Sequence, residues 1–160
     1  MRVWRVPIIL APMSASQLRP WFEASEKEYH NDLIRAGASP EQADEKVSHS
    51  FEEHFPGGVP APGHHVFDVL ADGAPVGYVW IGPQTNGDPQ DWWLWDIGID
   101  DQHRGRGFGR AAMELAEAEV KARGARSLGL TVFGFNAAAR SLYESLGYGT
   151  VSLLMTKPLR

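Results

Sequence analysis

The chain has 160 residues, of which 43% are hydrophobic, so it can bury the core of one globular domain but is too short for two. Its formal charge of −5 argues against nucleic acid as a partner, because phosphate binding requires a broad basic surface. The lack of cysteine excludes disulfides, thiolate metal sites and an acyl-cysteine intermediate. We therefore expect a single domain over residues 1–160, located in a reducing cytoplasm, and no apolar run is long enough to suggest a membrane partner.

The first part of the chain predicts a strand followed by two helices. The N-terminal segment has arginines and an apolar run, as a secretion signal does, but two prolines interrupt it, so we interpret residues 3–10 as a β-strand. Apolar residues at helical spacing then predict a helix from Ser14 or Ser16 to about residue 36. A second helix is predicted from Ser39, the N-cap, to about residue 55, with Pro40 at its first position and Gln42 completing a capping box.

Three strands are predicted after a turn-rich segment. The patterns at residues 65–70 and 76–81 are separated by the pair Asp72 and Gly73, which is a strong hairpin signal. Residues 92–99 are apolar at nearly every position, which is typical of a central strand covered on both faces.

The remainder of the chain alternates helices with strands. We predict a helix at residues 107–124, a strand at 127–132, a helix at 136–146 and a final strand at 150–156. Because helices and strands alternate only in this half, the sequence indicates an α/β fold in which a mixed sheet carries helices on both faces.

Glycine alternates with other residues over positions 105–109, where the third predicted helix begins. The first turn of a helix exposes unpaired N–H groups and a partial positive charge, and glycines let an anion approach them. Arg104, Arg106 and Arg110 add the densest basic cluster in the chain. The spacing matches neither the dinucleotide fingerprint nor the P-loop, so the residues alone predict either a phosphate-binding loop of another kind or a flexible glycine loop.

This loop also carries a recognisable motif. The pattern Arg-x-x-Gly-x-Gly at Arg104, Gly107 and Gly109 follows a buried strand and resembles the acetyl-CoA pyrophosphate site of the GNAT superfamily of N-acetyltransferases. Residues 130–149 resemble the second motif of that family, with a strand, an asparagine and then Tyr-x-x-x-Gly-aromatic. The resemblance implies a GNAT fold, with a mixed central sheet of about six to seven strands flanked by about four helices, and acetyl-CoA as cosubstrate.

The resemblance further assigns individual residues to the cosubstrate. It implies that Asn136 contacts the pantetheine, that Tyr143 hydrogen-bonds the CoA sulfur, and that a backbone N–H near Ile99 meets the oxyanion. From the residues alone, Asn136 could equally be a helix N-cap and Tyr143 a core residue. The residues implied to contact acetyl-CoA are Ile99, Arg104, Gly105, Arg106, Gly107, Phe108, Gly109, Arg110, Asn136 and Tyr143. No metal ligand is assigned.

Acetyl transfer to an amine needs a base, because an alkyl amine with a pKa of about 10.4 is almost entirely protonated at pH 7. Asp96, an acid within an apolar strand, is the first candidate, acting directly or through water; the alternative is a strand-end carboxylate satisfied by backbone amides or an arginine. His64 and His65 are further candidates. Tyr143 is expected to stabilise the departing thiolate. Without cysteine, direct attack in a ternary complex is the expected scheme.

The acceptor is predicted only as a class, a primary amine on a small molecule or peptide, and the chain is compatible with a homodimer. Aromatic and acidic residues near the predicted site could favour a cationic amine, although such residues more commonly form the core or face solvent. They are Trp80, Trp92, Trp93, Trp95, Glu26, Glu28, Glu52, Glu53 and Asp91. The alternative function is a CoA-binding sensor or interaction module without transfer activity.

Overall fold

The computed structural model describes residues 6–159, and this part of the chain contains five strands and four α-helices. In chain order they are β1 (Ile8–Pro12), α1 (Ala15–Arg35), α2 (Pro40–His54), β2 (His65–Ala71), β3 (Ala74–Pro83), β4 (Asp91–Ile99), α3 (Phe108–Ala122), β5 (Ser127–Leu130) and α4 (Ala137–Ser145). Single 3₁₀ turns occur at Pro56–Gly58 and Asp101–His103.

The first two helices begin where their capping residues predict. At the start of α1, Gln17 Oε1 accepts a hydrogen bond from the Ser14 N–H at 2.8 Å. At the start of α2, Ser39 Oγ accepts from the Gln42 N–H at 3.2 Å, and Gln42 Oε1 accepts from the Ser39 N–H at 3.0 Å. Pro40 follows at the first helical position, where a backbone N–H would have no hydrogen-bond acceptor within the helix, so proline is tolerated there. The predicted capping box is therefore confirmed.

The strands form one sheet in the order β1-β2-β3-β4-β5. Strands β1 to β4 pair antiparallel, whereas β5 runs parallel to β4, so the sheet is mixed as predicted. The predicted hairpin connects β2 to β3 through Asp72 and Gly73, whose φ angles of 51° and 78° suit a tight turn of the primed type.

Helices cover both faces of this sheet. On one face, Val79 and Ile81 of β3 pack with Met113 of α3 and are fully buried. On the other face, α1 and α2 enclose an aromatic cluster that includes Trp21 and Trp80. This double coverage explains why β3 and β4 are apolar along most of their length.

The sheet opens between β4 and β5. The parallel register runs only from Asp91 opposite Ser127 to Leu94 opposite Leu130. Strand β4 continues to Ile99 and pairs there with β3 alone. Within residues 6–159, one edge of positions 95–99 therefore has no neighbouring strand.

The prediction of a final strand at residues 150–156 is wrong for the described chain. This segment lies outside every helix and strand, and its apolar side chains are exposed. The sheet consequently has five strands, not about six to seven. A strand forms only where a neighbour supplies its hydrogen bonds, which is a long-range condition that a local pattern does not report.

The opening strand begins later than predicted. Ile8–Pro12 pairs with β2, whereas residues 3–5 of the predicted strand lie outside the described residues. None of the helices found between residues 6 and 159 is both long and apolar enough to cross a bilayer.

Candidate active site

A β-bulge in β4 sets the direction of the Asp96 side chain. Asp96 pairs with Trp80 of β3, but the next pair joins Ile81 to Leu94, so Trp95 is an extra residue on β4. In a regular strand, Asp96 would share the α3 face with Leu94. The extra residue turns Asp96 towards α1 and α2 instead.

Two hydroxyl groups bind the Asp96 carboxylate. Ser25 Oγ of α1 donates to Oδ2 at 3.0 Å, and the Tyr78 OH of β3 donates to the same oxygen at 2.9 Å. Burial raises the pKa of Asp96, while these two bonds and the Ile97 N–H oppose the rise. Among the described side chains no arginine pairs with Asp96, so its partners are two hydroxyls and one backbone amide.

Gly98 makes room for the Tyr78 ring. The two residues are cross-strand partners, and a Cβ on Gly98 would lie 2.6 Å from the ring. Any larger residue at position 98 would therefore displace Tyr78 from Asp96. Burial, followed by the charge of Asp96, raises the pKa of Tyr78, so this hydroxyl remains a hydrogen-bond donor.

A cavity of about 470 Å³ lies at the carboxyl end of β4. Its lining residues are Glu28, Tyr78, Gly98, Ile99, Asp100, Asp101, Gln102 and Arg104. Burial raises the pKa of Glu28, and the carboxylates of Asp96 and Asp32 raise it further. Tyr78 lines the cavity and also donates a hydrogen bond to Asp96, so this tyrosine connects the Asp96 carboxylate to the cavity.

The backbone amides that precede and begin α3 are available to a ligand. Between residues 6 and 159, the N–H groups of positions 105–110 find no hydrogen-bond acceptor. Gly105 and Gly107 have φ angles of 74° and 82°, a conformation that other residues seldom adopt. A Cβ at either position would meet nothing within 4 Å, so the loop is open and no side chain fills it. The positive end of the helix dipole lies at the same point.

Arg104 fastens this loop to the end of β4. Its Nε donates to the Ile99 carbonyl at 3.0 Å, and its Nη2 lies 3.0 Å from Asp101 Oδ1. In this conformation the Arg104 guanidinium therefore interacts with neighbouring protein groups. The predicted contacts of Arg104 and Ile99 with acetyl-CoA stay predictions.

The other two loop arginines lie over α3 and α4. The Arg106 guanidinium is 5.3 Å from the centre of the Phe108 ring, and Arg110 donates to Ser145 Oγ of α4. Phe108 itself is buried in the core, which leaves its backbone N–H as the group it could offer a ligand. Both arginine side chains are on the exposed surface of the loop and first helical turn.

Asn136 and Tyr143 belong to α4. Asn136 Oδ1 accepts from the Ala139 N–H at 3.2 Å, so this residue is a helix N-cap in the structure. Tyr143 is half-buried, with its ring centre 6.0 Å from that of Tyr148. Burial raises the pKa of Tyr143, and the charge of Asp96 adds to the rise. Tyr143 is thus close enough to the other predicted catalytic residue to respond to its charge.

The two histidines proposed as alternative bases lie elsewhere in the fold. His64 is buried, accepts a hydrogen bond from Trp80 Nε1 at 3.1 Å, and has a pKa that burial lowers to about 4. His65 stacks on Trp92 and lies 3.0 Å from Arg123 Nη1. Neither lines the cavity at the end of β4.

Three of the acids and tryptophans noted in the sequence have structural roles. Trp80 and Trp95 stack at 5.6 Å beneath α1 and α2. Asp91 accepts two hydrogen bonds from Arg126, at 2.9 and 3.0 Å, at the opposite end of β4. Of the five acids named, Glu28 is the one that lines the cavity in the described part of the chain.

Ser25 and Tyr78 are not among the site residues predicted from the sequence. Ser25, Glu28 and Asp32 occupy positions i, i+3 and i+7 of α1 and so share one side of the helix, a signal that the sequence does contain. Tyr78 gives no such signal, because its importance depends on the cross-strand pairing with Gly98.

The site contains backbone groups of the kind that can bind a diphosphate and an extended amide chain. The free amides of residues 105–110 suit a diphosphate, and the open edge of β4 suits an extended amide chain. No cluster of three or more His, Asp or Glu side chains capable of holding a metal ion is found in residues 6–159.

Comparison with known proteins identifies the family of the chain. Residues 18–148 match the model of the Acetyltransferase (GNAT) family. The Bacillus subtilis protein described as "Uncharacterized N-acetyltransferase YycN" is 30% identical over 154 residues, which are 95% of this chain and 99% of that protein. The solved structure of YycN has a TM-score of 0.87 at 29% identity and covers 96% of this chain and 99% of its own.

Two further proteins are more distant. An Escherichia coli [ribosomal protein bS18]-alanine N-acetyltransferase is 40% identical over 60 residues, 38% of this chain and 40% of that protein. The aminoglycoside N-acetyltransferase AAC(6')-Iy, solved with CoA, shares the fold with a TM-score of 0.62 at 15% identity, over 100% of this chain and 99% of its own. Because the family model matches residues 18–148 and a near full-length relative is 30% identical, this chain belongs to the GNAT family of acetyltransferases.

Proposed function

We propose that this chain transfers an acetyl group from acetyl-CoA to a primary amine by direct attack in a ternary complex. The observation that carries the proposal is the position of the carboxylate-lined cavity, at the end of β4 and beside the free amides that begin α3. One feature suits an amine acceptor and the other suits a CoA diphosphate.

The chain's own groups would bind the two substrates on either side of the end of β4. The amides of residues 105–110 would hold the diphosphate, and acetyl-CoA would supply the activated acyl group. Glu28, Asp100 and Asp101 line the other side, where negative charge attracts an ammonium group. We propose a cationic primary amine, on a small molecule or a peptide, as the acceptor.

Asp96 is our candidate for the base. Its raised pKa makes it a better proton acceptor than an ordinary aspartate, and Tyr78 connects it to the cavity. The proton of the ammonium group would pass to Asp96 through an intervening water or through the Tyr78 hydroxyl. Glu28 also lines the cavity with a raised pKa, so mutagenesis must separate the two carboxylates.

Tyr143 would stabilise the departing thiolate by donating a hydrogen bond. A thiol has a pKa of about 8.5 and a phenol of about 10, so complete proton transfer from tyrosine costs about 2 kcal/mol. Burial raises the pKa of Tyr143 and increases that cost. We therefore assign Tyr143 the role of hydrogen-bond donor, with proton transfer completed late.

Two measurements test the proposed function. Thermal shifts with acetyl-CoA and free CoA, compared with ATP and NAD, should show stabilisation by the two CoA species alone. Thiol release should then rise with at least one member of a panel containing a polyamine, an amino acid, an aminoglycoside and a peptide with a free N-terminus.

The results distinguish an enzyme from a CoA-binding sensor. The sensor is a second candidate because two hydroxyls already satisfy Asp96, as in a purely structural carboxylate. CoA binding without amine-dependent thiol release across the panel would favour the sensor. The absence of a thermal shift with either CoA species would contradict both functions.

A further inference from the structure

The Asp96 carboxylate lies behind the wall of the cavity at the end of β4. Among the residues that the structure describes, eight line this cavity, and Asp96 is not one of them. Its hydrogen-bond partner Ser25 is buried and does not line the cavity either. An amine bound in the cavity therefore meets another group before it meets Asp96.

Tyr78 is the group between the cavity and Asp96. Its side chain lines the cavity, and its hydroxyl donates to Asp96 Oδ2 at 2.9 Å. Gly98, its cross-strand neighbour, also lines the cavity, and a Cβ on Gly98 would lie 2.9 Å from the Tyr78 hydroxyl oxygen. The hydroxyl end of the tyrosine ring is therefore beside the cavity wall.

The Tyr78 oxygen can accept a hydrogen bond from a ligand. A phenolic hydroxyl donates one hydrogen bond and keeps lone pairs with which to accept another. Its hydrogen points to Asp96, and no donor in residues 6–159 bonds to its oxygen. An ammonium N–H in the cavity can thus bond to this oxygen while the hydroxyl stays bonded to Asp96. The carboxylate of Glu28 lines the same cavity and attracts the ammonium group.

Ser25 shows what a hydroxyl with a purely positioning role looks like. It donates to the same oxygen, Asp96 Oδ2, at 3.0 Å, so both hydroxyls favour the ionised carboxylate. The two differ in their access to the cavity, which Tyr78 lines and Ser25 does not. Holding the carboxylate is a role that both residues can have, whereas contact with a substrate is open to Tyr78 alone of the two.

We propose that Tyr78 is a catalytic residue that relays the proton of the acceptor's ammonium group to Asp96. One ammonium N–H bond breaks and its proton bonds to the Tyr78 oxygen, while the Tyr78 O–H bond breaks and that proton bonds to Asp96 Oδ2. The products are a neutral amine, an intact phenol and a protonated Asp96. The inference rests on the proposed acetyl transfer and selects the tyrosine hydroxyl over an intervening water.

The two proton transfers occur together. Burial, followed by the charge of Asp96, raises the pKa of Tyr78, so a free tyrosinate does not form between them. The neutral amine then attacks the thioester carbon, the C–S bond breaks, and the thiolate leaves. The second proton lost by the nitrogen balances the charge of the thiolate. Asp96 returns its proton to water through the same hydroxyl once the amide product has left.

Tyr78→Phe and Ser25→Ala form a matched pair, because each removes one donor from Asp96 Oδ2. Both should move the acid limb of the kcat/KM pH profile to higher pH, since each loses a bond that favours the ionised acid. We expect the plateau kcat to fall about 100-fold or more in Tyr78→Phe. In Ser25→Ala it should fall less than about fivefold. Equal plateaus in the two variants would overturn the relay and leave both hydroxyls as positioning groups.

A spectroscopic measurement tests the contact without turnover. The chain is labelled with ¹³C at the Cζ of its four tyrosines, and Tyr78→Phe identifies the Tyr78 signal. With free CoA bound, we add the panel amine that releases thiol fastest, at about ten times its KM. The Tyr78 signal should shift. The Tyr148 signal should not, because its hydroxyl bonds to Glu117 and Tyr148 does not line the cavity. An unmoved Tyr78 signal would overturn the proposal.

The same measurement separates this inference from the proposed function. If the unmodified chain releases thiol with no panel amine, the proposed function fails, and spermidine at about 10 mM, above common KM values, replaces the substrate. A shift of the Tyr78 signal alone would then still support the contact between this hydroxyl and an amine. The absence of a shift, or an equal shift of Tyr148, would refute it.

Discussion

At Asp96, burial and hydrogen bonding act in opposite directions on one carboxyl group. Burial raises its pKa, whereas Ser25 and Tyr78 favour the ionised form by donating to it. The net rise means that folding favours the protonated acid. This group therefore stabilises the fold most at low pH, and its contribution falls as the pH rises through its folded-state pKa.

The substitution Asp96→Asn should separate catalysis from stability. We expect turnover to fall by about 100-fold or more, because the base is lost, with acetyl-CoA affinity nearly unchanged. The melting temperature should rise at pH 7 and converge with that of the unmodified chain as the pH is lowered. Asp72→Asn, in a hairpin turn that accommodates asparagine, is the matched control. A turnover equal to that of the control would exclude Asp96 as the base.

Tyr143 and Tyr148 provide a matched pair of phenols on neighbouring sites. Tyr143→Phe removes a hydrogen bond to a charged leaving group and should lower turnover about 10- to 100-fold, with a much smaller change in acetyl-CoA affinity. The Tyr148 hydroxyl donates to Glu117 at 2.9 Å, so Tyr148→Phe should reduce stability by about 1 kcal/mol and spare turnover. Equal losses of turnover and affinity in Tyr143→Phe would count against a chemical role.

The secondary-structure elements differ in how far local sequence determines them. Caps such as Ser39 with Gln42 act within one turn, so the start of α2 is predictable from a few adjacent residues. The bulge at Trp95 depends on the register between β3 and β4, and a strand at residues 150–156 would need a neighbouring strand, which the described chain does not supply. The direction of Asp96 and the strand count therefore could not be predicted from local patterns.

The backbone conformation at the start of α3 should affect both the stability of the fold and the binding of the ligand. Gly107→Ala should reduce stability by about 1–2 kcal/mol, because alanine is strained in the left-handed conformation. Gly124, at the other end of the same helix, has a φ of 90° and similarly open surroundings, so Gly124→Ala carries a comparable strain. Only Gly107→Ala should weaken acetyl-CoA binding, by about tenfold or more. Calorimetric titration measures this, and equal affinities in the two variants would exclude the loop as the diphosphate site.

Across the whole molecule, the site forms where distant segments meet. The glycine loop and Asp96 are near each other in sequence, so a motif could indicate both. One carboxylate of the cavity, that of Glu28, comes from α1, about 70 residues before Asp96, and is brought there by the packing of α1 across the sheet. The sequence therefore offers a motif for the proposed CoA side of the site and no comparable motif for the acceptor side.

The charge of the cavity leads to a prediction about the acceptor. The Glu28 side chain is exposed at the cavity and its pKa is raised, first by desolvation and then by the charges of Asp96 and Asp32, so negative charge is concentrated where an ammonium group would bind. Glu28→Gln should raise the KM for a cationic amine about three- to tenfold and leave acetyl-CoA affinity unchanged. Added salt should raise the KM of the unmodified chain more than that of the variant, because less attraction remains to be screened.

Glu26→Gln supplies the control for this prediction. Glu26 lies on the same helix and has the same charge, but it does not line the cavity. Equal changes in KM for the two variants would show that the effect comes from the overall negative charge of the chain and would contradict a specific role for Glu28. A fall in kcat of about 100-fold with KM unchanged would instead identify Glu28 as the base. The Glu28 carboxylate would then deprotonate the acceptor, and Asp96 would hold Tyr78 in position.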